Sequence, residues 1–426
     1  MLRRVLAVML VTIVVAVTLA GCGQAPKKRT VSDLKAQVPH FRPPQAKPDA
    51  AFVAAQERFA CKLLAALHQE SPDTNLFFSP ASLSLALAMV ANGARGETLA
   101  AIQQTLEWQG LDVARINAGS QVLMAGLRLG EKEPTVAIAN ALWADRGLPV
   151  VPDFAQTVDQ VYRAPLRSLD LADTVAAART VNDWAKTETR EMIPEVVTPE
   201  DLAAVIVILA NALYFEGEWT TPFLVDRTRG GPFHLLDGSQ KQVRFMWQEG
   251  QYLHLERPEF QAVSLPYGSG RLSFYVFLPA EGTGLQGFLS SVTAANWADW
   301  QQAFAERQGS LKLPRFRAEY GEHLKETLTA LGMGIAFDAG RADLSGMVQG
   351  QAWLSDVIHK AVVEVDEQGT RAAAVTVAPV AGAMAPVTLG PFTMVVDRPF
   401  LCAIRDNGTG AVLFLGVVTD PQKPAR

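Results

Sequence analysis

The sequence has few cysteines, no excess of basic residues and no histidines at metal-ligand spacing. Three cysteines in 426 residues exclude a dense disulfide framework, so the stability of the fold must come from its core. A formal net charge of −5 gives no support to a nucleic-acid partner. With 49% hydrophobic residues, the chain is apolar enough to bury a large core.

Patterns typical of cofactor sites and hydrolases are also missing. Five histidines show no metal-ligand spacing, so neither a metal nor another cofactor is expected; they are His40, His68, His234, His254 and His323. Ser79, Ser82 and His359 suggest a Ser–His hydrolase only superficially. Neither serine lies in a G-x-S-x-G motif, and Ser79 precedes the proline of a predicted helix start. The chain is therefore not expected to be an enzyme.

The N-terminus has the features of an export signal. Arg3 and Arg4 precede an apolar run over residues 5–20, and L-A-G-C follows at positions 19–22. The run is shorter than the roughly 20 residues of a membrane-spanning helix. L-A-G-C resembles the bacterial lipobox, which implies acylation of Cys22; a chance cysteine after an ordinary signal peptide is the alternative. We therefore expect a lipid-anchored, extracytoplasmic protein of the cell envelope, on the periplasmic or cell-surface side.

Three segments are expected along the chain. Residues 1–21 form the lipoprotein signal peptide, and residues 22–50 form a flexible, proline-rich tether. Residues 51–421 lack repeats and low-complexity inserts, so they are assigned to one large domain. Cys61 and Cys402 within it are expected to be buried single thiols, with a disulfide bridge as the alternative.

Apolar periodicity predicts helices early and strands late, which favours an α+β fold without βαβ repetition. Helices are predicted at 52–67, from Pro80 to near Gly93, at 175–192 and at 323–331. Strands are predicted at 136–143, 205–214, 311–316, 362–365, 392–396, 400–404 and 412–417, with several more within 232–279.

Residues 367–380 combine the features of a loop and a strand. Gly369 lies near one end of the stretch and glycines and prolines follow the other end, as is typical of loops; the latter are Gly382, Pro386, Gly390 and Pro391. Alternate residues between them are small or β-branched and uncharged, which is typical of a strand that can enter a packed sheet; these are Thr370, Ala372, Ala374, Thr376, Ala378 and Val380. The segment is therefore predicted to be loop-like at its ends and able to form a strand in its middle.

The sequence resembles the serpin family over nearly all of residues 51–420. Nine blocks occur in the order found in that family; they are residues 75–83, 92–98, 181–184, 209–219, 313–316, 342–346, 359–362, 397–400 and 414–418. The resemblance implies three β-sheets, about nine helices and an exposed reactive-centre loop. It also implies inhibition by a suicide-substrate route, in which a protease cleaves the loop and is trapped as the loop enters the main sheet.

The resemblance also assigns roles to residues. The loop hinge comprises Glu367, Gly369, Thr370, Ala372, Ala373 and Ala374. A buried polar cluster that rearranges as the main sheet opens comprises Ser79, Ser82, Asn211 and His359. Trp219 corresponds to a tryptophan at the upper opening of the sheet, and ordinary core packing is its alternative role.

Family spacing places the cleaved bond between Ala383 and Met384, sixteen positions beyond Glu367 and uncertain by one residue. No Arg, Lys or aromatic residue lies near it, so elastase-like or subtilisin-like serine proteases are the expected partners, and chymotrypsin-like ones if Met384 enters the pocket. Papain-like cysteine proteases remain open as targets. We expect a monomer that forms a covalent complex with its target; the alternative is a non-inhibitory serpin that acts as a carrier or chaperone.

Overall fold

The computed structural model describes residues 36–39, 46–130, 133–164, 166–203, 205–370 and 390–422. These residues form nine α-helices: α1 (Ala50–Glu70), α2 (Pro80–Gly93), α3 (Gly96–Thr105), α4 (Val113–Gly126), α5 (Pro152–Tyr162), α6 (Thr174–Glu188), α7 (Gly284–Ser290), α8 (Ala294–Ala303) and α9 (Lys325–Leu328). None of the helices in this described part is both long and apolar enough to cross a membrane.

The same residues form fifteen strands: β1 (Leu76–Phe78), β2 (Thr135–Asp145), β3 (Leu166–Leu169), β4 (Val207–Glu218), β5 (Arg229–His234), β6 (Gln240–Arg257), β7 (Phe260–Pro266), β8 (Leu272–Pro279), β9 (Ala305–Pro314), β10 (Phe316–His323), β11 (Leu354–Val365), β12 (Gly369–Thr370), β13 (Phe392–Val395), β14 (Phe400–Asp406) and β15 (Val412–Val418).

The strands build three sheets, as expected for the α+β fold. The main sheet has the order β10-β11-β12-β4-β2-β3, and β11 also pairs directly with β4. The other nine strands share one hydrogen-bonded network that divides along the 18-residue β6. The first part of β6 pairs with β5, its middle pairs with β9, and its last residues pair with β7. The two parts of the network are the second and third sheets.

The helix α2 lies inside the core, as its apolar sequence predicts. Ser79 caps its N-terminus by accepting a hydrogen bond from the backbone N–H of Ser82, and Pro80 occupies the first turn. All of its residues except Asn92 are buried. The helix therefore passes directly beneath the main sheet and brings the polar groups of its first turn to β4 and β11.

The two faces of β4 pack against different layers because successive side chains of a strand alternate. Leu209 and Leu213 belong to the large core that contains α2. Ile208 and Ala210 belong to a smaller core beneath α6, which also contains Trp184. Separation of β4 from β11 would therefore disturb both layers.

Most predicted elements are confirmed, and two helix predictions are wrong in extent. The helix predicted at 323–331 begins two residues later than predicted, at Lys325, because β10 continues to His323 along the edge of β11; α9 then passes directly into a π-helical turn over Thr329–Met333. The helix predicted at 175–192 ends at Glu188, and the backbone then turns through positive φ angles at Arg190 and Glu191.

Cys61 and Cys402 are both free thiols, which confirms the prediction of single cysteines; Cys402 is buried as predicted, whereas Cys61 is only partly buried. Burial raises the pKa of Cys61 to about 12 and also raises that of Cys402. Neither thiol therefore ionises readily near neutral pH.

Candidate functional site

The first two residues of the predicted loop strand already lie inside the main sheet. Thr370 pairs with Val365 of β11 and with Gly217 of β4, and Gly369 pairs with Glu218. A Cβ atom at Gly369 would lie 2.0 Å from the carbonyl oxygen of Gly217, so only glycine fits there. The two-residue β12 therefore forms a wedge at the top of the sheet.

Below this wedge, β4 and β11 pair with each other in parallel. Their register runs from Leu354 opposite Val207 to Ala361 opposite Leu213. No such pairing of β4 with β11 continues between Ala361 and Val365 in this described region. We call the point above Ala361 where β4 and β11 separate "the fork". Further loop residues could enter the sheet only at this fork, and each inserted residue would separate another part of the β4–β11 ladder.

Thr370 is completely buried and has a specific polar partner. Its hydroxyl lies 2.5 Å from the hydroxyl of Tyr267. The ring of Tyr267 stacks on Trp219, with 4.5 Å between centroids and 11° between planes. Trp219 in turn donates from its indole Nε1 to the carbonyl oxygen of Asp366 at 2.9 Å. Trp219 is therefore a core residue that also contacts the base of the loop.

The base of the loop is held by a compact turn. The backbone N–H of Asp366 donates to the carbonyl oxygen of Gly369 at 2.9 Å, and the Asp366 carboxylate accepts from the N–H groups of Gln368 and Gly369. Burial raises the pKa of Asp366, and these two donors act in the opposite direction. The backbone N–H of Trp219 donates to the carbonyl oxygen of Gln368. The turn thus fixes the direction in which the chain leaves β11.

Glu367 is a buried carboxylate with two partners from other elements. Its Oε1 accepts from the Thr228 hydroxyl at 2.6 Å, and its Oε2 lies 3.5 Å from Nε of Arg315. Its carbonyl oxygen accepts from the backbone N–H of Phe223 at 2.8 Å. Loss of the carboxylate would leave Arg315 and Thr228 without this partner, which is costly at a buried site.

Ser79, Ser82, Asn211 and His359 meet in one buried hydrogen-bonded cluster. Asn211 on β4 lies opposite His359 on β11, and its side-chain oxygen accepts from Nδ1 of His359 at 2.5 Å. Its Nδ2 donates to the Ser82 hydroxyl at 2.5 Å and to the side-chain oxygen of Asn140 on β2. The cluster therefore connects three strands of the main sheet to α2.

The histidine of this cluster is neutral. The backbone N–H of Ser79 donates to its Nε2 at 3.1 Å, so the proton of the ring lies on Nδ1. Burial lowers the pKa of His359 to about 3. The Ser79 hydroxyl donates to the carbonyl oxygen of Leu413 at 2.5 Å rather than to the imidazole. The arrangement binds strands together and has no activated serine.

The strand that follows the loop is anchored by a second cluster. β13 runs parallel to β9 with Phe392 opposite Gly309, and Nε of Arg307 donates to the carbonyl oxygen of Gly390 at 2.7 Å. Phe392 stacks on His254 with 3.9 Å between ring centroids. Burial, followed by the nearby Arg307, lowers the pKa of His254 to about 4. Both ends of the loop are therefore held by buried contacts.

Several predicted residues lie outside the described part of the chain. These are Cys22, the hinge residues Ala372, Ala373 and Ala374, and the predicted bond between Ala383 and Met384.

Some residues of the site have no local signal in the sequence. Asn140, Tyr267 and Arg307 follow no motif, and their partners lie 71, 103 and 83 positions away in the chain. Only the strand pairing brings each of them to the hinge, the cluster or the end of the loop.

Comparison with known proteins gives consistent matches over the whole domain. The family model described as "Serpin (serine protease inhibitor)" matches residues 54–421. The leukocyte elastase inhibitor of Bos taurus is 34% identical, over 86% of this chain and 99% of that protein. The human leukocyte elastase inhibitor is also 34% identical, with the same coverage.

Among solved structures, the native thermophilic serpin tengpin superposes with a TM-score of 0.78 at 29% identity, covering 92% of this chain and 98% of that one. Serpins bind serine proteases as their targets and are inhibitors rather than catalysts. On the family match and the identity to these relatives, the chain belongs to the serpin family.

Proposed function

We propose that this chain inhibits serine proteases by the suicide-substrate route, in which the cleaved loop becomes a new strand between β4 and β11. The observation that carries the proposal is the wedge formed by Gly369 and Thr370 between these strands. The residues that follow include Ala372, Ala373 and Ala374, which bring neither bulk nor charge into the fork. The wedge thus already separates β4 from β11 at the point where insertion would begin.

Insertion supplies the driving force for trapping. A new central strand pairs with both β4 and β11 and so replaces one ladder by two. For about a dozen residues, at a net of about 1 kcal/mol per hydrogen bond, the gain is on the order of 10 kcal/mol. This equals the stability of a whole small domain, so the intact molecule is a kinetic trap.

The buried polar cluster would control how readily the strands separate. Asn211 and His359 face each other across the β4–β11 interface and share a hydrogen bond of 2.5 Å. Insertion past this row must break that bond and re-pair both side chains, because a buried polar group without a partner costs roughly 1–3 kcal/mol. We therefore assign Ser79, Ser82, Asn211 and His359 to the opening of the sheet.

The target preference follows from the loop sequence. The bond between Ala383 and Met384 offers a small or an unbranched apolar side chain to the protease. A shallow apolar pocket accepts such a residue, whereas a pocket with a buried carboxylate requires a cation. The names of the leukocyte elastase inhibitors support the same class of target. Elastase-like or subtilisin-like proteases are the proposed partners.

The location is part of the proposal. Acylation at Cys22 would attach this inhibitor, as a monomer, to the outer side of a bacterial membrane. Support comes from the lipobox-like sequence at positions 19–22 and the basic and apolar segments before it.

The test is incubation with an elastase, subtilisin and trypsin, followed by denaturing electrophoresis. We expect a covalent complex with the first two enzymes and a released C-terminal peptide that begins at Met384 by mass spectrometry. Cleavage without any complex, for each enzyme, would refute inhibition and favour a carrier or chaperone. A cut before Val375 would refute the assigned bond.

A further inference from the structure

The long strand β6 has a gap along one of its two edges. On one edge it pairs with β9 from Phe245 to His254. On the other edge it pairs with β5 as far as Phe245 and with β7 only from Leu253. Among the described strands, none covers residues 246–252 on that edge. Such a gap exposes backbone N–H and carbonyl groups that can pair with an added segment.

A short segment from before the first helix occupies this gap. The backbone N–H of Ala36 donates to the carbonyl oxygen of Glu249 at 3.0 Å, and the N–H of Gln251 donates to the carbonyl oxygen of Ala36 at 2.8 Å. The bridge of Ala36 with Gly250 is parallel, and Ala36 is only 6% exposed. These contacts are those of a peptide added to a sheet edge.

Two glycines of the domain leave room for this segment. A Cβ atom at Gly250 would lie 2.2 Å from the backbone nitrogen of Ala36, and its three nearest neighbours would all belong to Ala36. A Cβ atom at Gly270, where φ is +90°, would lie 2.3 Å from Cγ of Pro39. The domain surface is therefore shaped for residues 36–39 at both ends of the contact.

The segment also closes a hollow in the domain surface. Val38 and Pro39 line a cavity of about 190 Å³ together with Leu253, Tyr275 and Phe304. The segment thus covers apolar side chains as well as completing the strand edge.

We propose that the gap in β6 is a docking site for the chain's own residues 36–39, and that this contact fixes where the tether leaves the domain. The role in membrane attachment rests on the proposed anchor at Cys22. Ala36 lies fourteen positions beyond Cys22, which at about 3.4 Å per position is a span of at most about 48 Å. Without docking, the free tether would run from Cys22 to the start of α1 at Ala50, and its maximum length would double.

Ala36, where the tether leaves the domain, lies in the same cross-strand row as Phe392, which begins the strand after the reactive-centre loop. Ala36 pairs with Gly250, Gly250 with Gly309, and Gly309 with Phe392 of β13. Three strand spacings of about 4.8 Å place Ala36 about 14 Å from Phe392. Docking therefore places the point where the tether leaves the domain close to β13, the strand that follows the loop.

The test is hydrogen exchange of the full chain, read by mass spectrometry over residues 36–39 and 246–252. We expect the amides of Ala36 and Gln251, which donate across this contact, to exchange at least about tenfold more slowly than in Gly250→Ala, whose new Cβ meets the docked segment. Gly282→Ala is the matched control, because a Cβ atom there meets nothing within 4 Å. Ala36→Pro removes the donor to Glu249 without altering the domain, and we expect the same loss of protection at residues 246–252.

Exchange of residues 36–39 at the rate of an unfolded peptide in the wild-type chain would overturn the proposal. Protection that is lost on dilution would mean docking between two copies, and it would overturn docking within one chain. The result depends neither on acylation nor on protease inhibition. A failure of the proposed function would therefore leave this measurement unaffected, and the reverse also holds.

Discussion

Replacement of Thr370 by arginine should convert the inhibitor into a substrate. Thr370 is fully buried between β4 and β11, with the Tyr267 hydroxyl as its polar side-chain contact. A guanidinium in this place would be desolvated without a counter-ion, at a cost of several kcal/mol. If β12 instead leaves the sheet, the chain loses three strand-paired positions and the contact with Tyr267, at a cost of about 1 kcal/mol for each hydrogen bond. The variant should therefore fold with its hinge outside the sheet.

The same cost returns when the cleaved loop inserts, because residue 370 enters first. A penalty of about 3 kcal/mol slows insertion by about a hundredfold, whereas hydrolysis of the acyl-enzyme is unaffected. On a denaturing gel, the ratio of covalent complex to cleaved chain should fall by at least about tenfold. Thr370→Ser, which keeps the hydroxyl, is the control and should retain most of the complex.

The native state of the variant can be checked independently. The backbone N–H of Trp219 donates to the carbonyl oxygen of Gln368, so its hydrogen exchange should accelerate if the wedge is released. If Thr370→Arg forms the covalent complex with the wild-type rate and yield, entry of residue 370 into the sheet is not part of the mechanism.

Three further predictions concern the anchor, the stored free energy and the buried histidines. Cys22→Ser should abolish metabolic labelling with a fatty acid, and label retained in the variant would refute the lipid anchor. A single cut in the reactive loop should raise the melting temperature by roughly 10–20 °C, and an unchanged value would favour a non-inhibitory serpin. Burial holds the pKa of His359 at about 3 and that of His254 at about 4, below the ordinary 6.5, so the unfolded chain binds more protons and stability falls as pH falls below about 6.5. Each histidine contributes up to about 1.4 kcal/mol per pH unit to the fall in the free energy of unfolding in this range. In urea denaturation between pH 6.5 and 5, His359→Gln should therefore remove about half of the pH dependence that the two histidines cause together. An unchanged pH dependence would contradict a neutral His359.

The elements that sequence predicts well are those with a strong local pattern. The helix α2 is almost wholly apolar and has a capping serine followed by proline, and the first nine residues of the central strand β4 are apolar except for Asn211. Both signals lie within a dozen residues. The start of the helix predicted from His323 was two residues too early because His323 pairs with β11, a contact that no local pattern encodes.

The candidate site was only partly predictable for the same reason. Ser79, Ser82, Asn211 and His359 were identified through family blocks, and the structure gives their hydrogen bonds. Tyr267 directly follows β7 and Arg307 lies within β9, in stretches without a motif, and only the folded sheets bring them to the two ends of the loop. The docked segment at Ala36 was hidden within a stretch whose prolines and lysines are typical of a tether.

The most direct test of the account is where the cleaved loop goes. Hydrogen exchange of the covalent complex, compared with the intact chain, should show a large increase in protection of residues 371–380, with β4 and β11 remaining protected on either side. Such protection would mean that the loop has become a strand of the main sheet. A covalent complex in which residues 371–380 exchange as fast as in the intact chain would contradict trapping by strand insertion.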